Sequence, residues 1–247
     1  METNKEYTLV PTFSNSFGTG LKVMADNFIR LLLIVLIVAI VTGPSQLINF
    51  KFNASDFHGR PWDWAGNMDS IINWASIGMV AAFFGLLALL YSFFVVPVFK
   101  YGSNMTFIQA VRKIKPDFEM LVKGFWENYL HIVLANLLVM ALVVLGCFAL
   151  LIPGIIIGCR LVFVSYIVMD KKLDPIEAVE LSWKLTRGHG WRIFAMGFVS
   201  FFIILFGLIF FIVGIFPAIM WVSSSFATLY QSVLNQKEKP AEPVLAQ

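Results

Sequence analysis

The sequence predicts an all-α integral membrane protein: six transmembrane helices paired as three helical hairpins, with amphipathic interfacial helices on the cytoplasmic side. Three observations carry that expectation. The 247-residue chain is 59% hydrophobic and only 13% charged, with a mean hydropathy of +0.81. Several apolar runs approach or exceed the ~20 residues that a helix needs to cross ~30 Å of hydrocarbon. None alternates polar and apolar residues as barrel strands do, so helices are left to satisfy the backbone in lipid. Thirdly, one design is written at least twice. Thr106-Phe-Ile-Gln109-Ala-Val111 and Asp174-Pro-Ile-Glu177-Ala-Val179 read as the same helix opening. Each is followed by a basic amphipathic stretch, an aromatic lead-in (Gly124-Phe-Trp126; Gly190-Trp191) and a long apolar run broken at a proline (Pro153; Pro217). A fixed period of this kind marks stacked supersecondary units.

The elements follow in order. Residues 1–27 are polar and mixed in charge, a cytoplasmic segment with no apolar stretch or cleavage motif of a signal peptide. Within it, Ser14 to Asn27 reads as a degenerate third copy of the amphipathic unit. The first span is 28–47. An outer loop, 49–70, carries Trp62 and Trp64 flanking Asp63, and paired tryptophans of this sort anchor at the membrane interface. The second span is 71–98. Thr106-x-x-Gln109 opens an amphipathic helix over about 106–122, with Phe107, Val111 and Ile114 on one face and Pro116 cutting it short; Trp126 anchors its end. Spans 129–151 and 152–169 turn tightly at Ile152-Pro153-Gly154. Asp174-x-x-Glu177 is a capping box with Pro175 at the first helical position, so a second amphipathic helix runs over 174–188 and stops at Gly188. Ile176, Val179 and Trp183 recur along it at i, i+3, i+7, and Trp183 and Trp191 serve as interfacial anchors. Spans 193–214 and 217–234 turn at Ile215-Phe216-Pro217, and 235–247 is a cytoplasmic tail.

Orientation follows from the cations. Fifteen of the eighteen Lys and Arg fall on one side: Lys5, Lys22 and Arg30; Lys100, Arg112, Lys113, Lys115 and Lys123; Lys171, Lys172, Lys184, Arg187 and Arg192; Lys237 and Lys239. The outer loop holds Lys51 and Arg60, and Arg160 lies within a span. Positive charge is retained inside, so both termini are expected in the cytoplasm. The same cations would meet anionic lipid at that face.

Ile152-Pro-Gly-Ile-Ile-Ile-Gly-Cys-Arg160, then Asp174-Pro-Ile-Glu-Ala-Val-Glu-Leu-Ser182-Trp183, Thr186-Arg-Gly188 and Trp191-Arg-Ile-Phe194 resemble the bacterial membrane domain of glycerophosphoryl diester phosphodiesterases and related inner-membrane proteins. The likeness is clearest over 150–195. It implies a multi-pass scaffold in the bacterial inner membrane. The phosphodiesterase activity of that family belongs to a separate soluble barrel, for which this chain has no counterpart, so the resemblance implies no reaction here.

Candidate chemistry is sparse. Arg160 is the one formal charge well inside an apolar span, about 10 Å along the helix from the expected outer turn. It reads either as a lipid-headgroup contact gripping phosphate with its planar fork or as a side chain that snorkels to the outer interface or bonds turn carbonyls. Asn136 reads as interhelical glue, and His131 as structural with no partner suggested by spacing. Cys147 and Cys159 read as small apolar packing groups. Asp56, His58 and Asp63 lack the further ligands of a metal site, and no catalytic set, phosphate loop or nucleic-acid signature is present. Neither an enzyme, a metal nor a cofactor is therefore expected. The expected role is a non-catalytic scaffold, assembly factor or complex subunit, its partner face formed by Ile176, Val179 and Trp183. The alternative is a lipid or small-solute transporter working through Arg160.

Overall fold

A computed structural model describes residue 7 and residues 9–51, 68–209 and 211–238. Every regular element among them is a helix: α1 Phe13–Asp26, α2 Phe28–Lys51, α3 Met68–Phe94, α4 Val96–Val111, α5 Glu119–Glu127, α6 Tyr129–Ala149, α7 Leu151–Leu161, α8 Val164–Lys171, α9 Pro175–Thr186, α10 Gly190–Ile209 and α11 Phe211–Glu238. Among the described residues, four stretches are long and apolar enough to cross a membrane: Ala82–Val111, Tyr129–Phe148, Ile152–Lys171 and Gly190–Ile209. A fifth exists if Phe13–Asp26 and Phe28–Gly43, which meet at 95°, count as one broken span.

The bundle is organised around α4 and the second half of α11. Tyr101, Thr106, Phe107, Ile108, Ala110 and Val111 of α4 are buried, as are Met220, Ser224, Ser225, Thr228, Leu229 and Tyr230 of α11. Helices α1, α2, α4 and α10 all pack on α11. Large apolar side chains point outward instead, among them Phe83, Leu137, Phe148, Phe198, Phe201 and Phe206. In lipid this distribution is favourable, because helices associate through close packing of small residues while bulky apolar groups meet acyl chains. Glycine contacts make that packing visible. A Cβ on Gly20 would lie 2.7 Å from the Ser225 Cα, so α1 sits on α11 backbone to backbone. At the α6–α7 break, which falls at the extended Leu150, a Cβ on Gly146 would lie 3.0 Å from the Gly154 Cα. Near the α10–α11 break, a Cβ on Gly207 would meet the Gly214 oxygen at 2.8 Å.

Several expectations require correction. Thr106–Val111 does not open a helix; it closes α4, and residues 112–118 are non-helical before α5. The expected amphipathic helix over 106–122 is thus two helices with a loop between. Pro97 sits in the first turn of α4, where a missing N–H costs little, and no further proline comes before Pro116, so the helix runs on through Val111. The Thr106 hydroxyl donates back to the Ser103 oxygen at 2.7 Å rather than capping forward. Gln109 accepts instead from the Asp117 backbone N–H at 3.1 Å, tying down the loop around Pro116. The expected second span, 71–98, largely coincides with α3, which ends at Phe94 and is followed after one residue by α4. The expected span 152–169 matches the qualifying stretch Ile152–Lys171, which is made of α7 and α8 with residues 162–163 between them. The third turn comes at the α10–α11 junction, leaving Pro217 inside α11. A proline is tolerated there because neighbouring helices can serve the freed carbonyl. Residues 217–234 do form helix, yet from Ser224 onward they are largely enclosed by protein. Trp62, Trp64 and most of the outer loop lie outside the described residues.

Candidate functional site

The residues that carry the family resemblance meet at one junction. Helix α9 begins as its sequence requires: Asp174 takes the extended N-cap conformation and Pro175 the first turn, and the Asp174 carbonyl accepts from Ala178 N–H at 2.8 Å. The Asp174 side chain makes no capping bond; its Oδ1 lies 2.8 Å from His131 Nε2 on α6. This pairing supplies the partner that spacing alone did not suggest for His131. Helix α9 ends at Thr186, and Gly188 follows with φ +87°, a left-handed position natural for glycine.

Between these ends α9 presents small residues to the bundle. Ala178, Ser182, Leu185 and Thr186 are buried. The Ser182 hydroxyl donates to the Arg160 carbonyl at 2.7 Å, and the Thr186 hydroxyl reaches the same oxygen at 3.3 Å. That carbonyl sits one residue before α7 ends, where backbone acceptors need outside donors. The Arg160 guanidinium lies over the Trp183 ring, 5.6 Å from its centroid, a cation–π arrangement. No hydrogen bond or ion pair engages the guanidinium among the described residues, and its Nη1 is buried without a partner.

Arg160 lines a groove of about 450 Å³ between α7 and α10, with Ile152, Ile155, Ile156, Cys159, Gly190, Trp191 and Phe194 as its other walls. Trp191 is 80% exposed and stacks on Phe194 at 5.5 Å. Arg160 thus lies against α9 and the start of α10, at the opposite end of α7 from the Leu150 break, with its guanidinium over the Trp183 ring.

A second polar cluster locks three helices. Arg112, just past α4, forms a two-pronged ion pair with Asp170 of α8 at 2.6 and 2.7 Å. The Tyr230 hydroxyl of α11 donates to the same carboxylate at 3.0 Å, and Arg112 Nε donates to Gln231 at 2.8 Å. The Asp170 side chain is only 4% exposed. Nearby, Asn104 donates to Ser165 at 2.9 Å, tying α4 to α8. Both line a cavity of about 310 Å³ with Lys100, Asn136 and Tyr166. Asn136 itself makes no side-chain hydrogen bond among the described residues, so the expected glue is Asn104 instead.

Of the expected partner face, Ile176 (68% exposed) and Trp183 (45%) point outward, whereas Val179 packs against the core. Trp126 is exposed on α5 beside Phe125 and Tyr129. Cys147 and Cys159 are free thiols, the first packed against Gly154. Among the described residues no three His, Cys, Asp or Glu groups converge as metal ligands. The convergence at Arg160 was not readable from spacing: α7 and α9 meet through hydroxyl-to-carbonyl bonds and a cation–ring contact, which leave no periodic mark. The chain matches no family model, no curated protein and no solved structure.

Proposed function

We propose that the protein is a non-catalytic multi-pass protein of the bacterial inner membrane, acting as a scaffold, assembly factor or subunit of a membrane complex. One observation carries this reading: the polar side chains inside the bundle are largely spent on each other. Arg112, Asp170, Tyr230 and Gln231 form one closed cluster, and Ser182 and Thr186 serve the Arg160 carbonyl. Such groups hold helices in register.

The proposed topology is six spans in three hairpins with both termini cytoplasmic, and anionic lipid meeting the basic face. Support for an internal repeat comes from α1 and α9. They bury the same spacing, Ser16, Gly20 and Val23 against Ala178, Ser182 and Leu185. Each then leads within a few residues into a long apolar helix. The glycine pairs at the α6–α7 and α10–α11 breaks support paired antiparallel helices. The motif from Ile152 to Phe194 supports kinship with the phosphodiesterase membrane domain.

The partner face is the outward stripe of α9. A photocrosslinking residue at Ile176 or Trp183, activated in native membranes, is expected to give one discrete heavier polypeptide adduct that the same probe at Phe148 does not give. Adducts to lipid alone at all three positions would remove the docking role. A second reading, lipid handling, is favoured by the unpaired Arg160 at its groove.

A further inference from the structure

We infer that the α7–α10 groove holds one chain of an anionic phospholipid whose headgroup phosphate is gripped by Arg160. The walls supply the first argument. Ile152, Ile155, Ile156, Cys159 and Phe194 offer a continuous apolar surface, and the eight-residue rise from Ile152 to Arg160 gives it a length of about 12 Å along α7. A polar solute gains nothing from such walls, whereas an acyl chain does.

The second argument is charge. The groove ends on a guanidinium that has no protein acceptor among the described residues. Among the described residues it meets only the Trp183 face, which attracts cations but accepts no conventional hydrogen bond from its N–H donors. A phosphate accepts two of those donors at once, the arrangement for which a planar fork is suited. Gly190, the first residue of α10, lines the same end, adding the positive end of a helix dipole.

The third argument is depth. Trp183 and Trp191 flank the charged end and are both exposed, and tryptophans settle at the level of lipid headgroups. The site's gradient, cation beside tryptophan and then a run of isoleucines, is the gradient of a phospholipid lying along α7. A protein carboxylate would satisfy Arg160 but would leave the isoleucine wall uncovered. The inference deepens the lipid-handling reading. Because the test reads binding alone, a chain that held the lipid without moving it would keep this site and lose only the transport reading.

The experiment is a native mass-spectrometric titration of the full chain in detergent with dioleoyl phosphatidylglycerol, against inorganic phosphate as competitor. Wild type is expected to retain one lipid. Arg160→Gln should weaken retention about tenfold or more, the loss expected for a hydrogen bond to a charged group, while Arg160→Lys keeps part of it. Ile156→Trp, which fills the apolar wall at an exposed position and keeps the cation, should weaken retention as well; being on the surface, it reports even if Arg160→Gln fails to fold. Millimolar inorganic phosphate should not displace the lipid. Retention within twofold of wild type in both Arg160→Gln and Ile156→Trp, or full displacement by inorganic phosphate, would overturn the inference.

Discussion

The Arg112–Asp170 cluster makes an asymmetric prediction about stability. The two side chains bond each other through both prongs, but they are not equally placed: Asp170 is 4% exposed and Arg112 29%. Replacing Arg112 by Leu strands a buried carboxylate whose remaining donor is Tyr230. Removing one partner of a buried pair costs about 3–5 kcal/mol. Replacing Asp170 by Leu strands a guanidinium that still bonds Gln231 and can turn toward water through its exposed edge, so the cost falls to about 1–3 kcal/mol. With both changed to Leu no charge is left uncompensated, and apolar replacement of a whole pair is near neutral. The double variant should therefore be more stable than Arg112→Leu alone by about 3–5 kcal/mol. The assay is unfolding in mixed micelles by increasing sodium dodecyl sulfate, followed by far-ultraviolet circular dichroism. Equal single costs, or a double variant that equals the sum of the singles, would refute the reasoning that burial sets the penalty.

Three further outcomes follow from the same geometry. Gly20→Ala should destabilise by about 1–3 kcal/mol, the range for overpacking, since its Cβ would meet the Ser225 backbone at 2.7 Å; Gly18→Ala, with nothing within 4 Å, should be near neutral in the same unfolding assay. Ser182→Ala combined with Thr186→Val strips both hydroxyls from the Arg160 carbonyl and should cost about 1–3 kcal/mol, read as earlier loss of protection at the α7–α9 contact in hydrogen exchange. Burial holds His189 below the ordinary histidine pKa, helped by Arg192 and Lys237, against hydrogen bonding that raises it. The unfolded chain then takes up the proton first as pH falls. Stability from this residue is full above about pH 6.5 and declines below it; His189→Gln should flatten the difference between unfolding midpoints at pH 8 and pH 5.5.

What could be read from the sequence depended on whether a residue's role was local. The start of α9 at Asp174 and Pro175, its stop at Gly188 and the break near Pro153 are set by backbone chemistry within a few residues, and sequence reading places them. Apolar character also reveals that long helices suited to a membrane are present. Whether such a helix meets lipid or protein is another matter, because both environments accept the same side chains. Thr106–Val111 and the later half of α11 read as interfacial and spanning, yet both are enclosed by neighbours. The usable sign was present in α11 as Ser225, Thr228 and Ser232, small hydroxyls that bond their own helix and let others approach. Pro217 misled for a related reason: it reads as a turn, while the turn is set by close packing near Gly207 and Gly214. At the candidate site, Arg160 stood out as the lone charge in its span, but its place beside Trp183 depends on a tertiary contact across 23 residues.

The account's central claim is a membrane bundle whose basic face, α9 side and termini share one compartment. Labelling with a membrane-impermeant maleimide tests it most directly, using spheroplasts of cells carrying single cysteines at Leu150, Lys172 or Glu238 in a chain with Cys147→Ala and Cys159→Ala. The account predicts that Leu150→Cys is labelled on intact spheroplasts and that Lys172→Cys and Glu238→Cys are labelled only after permeabilisation. Labelling of Lys172→Cys or Glu238→Cys from outside, or protection of Leu150→Cys until the membrane is opened, would contradict it.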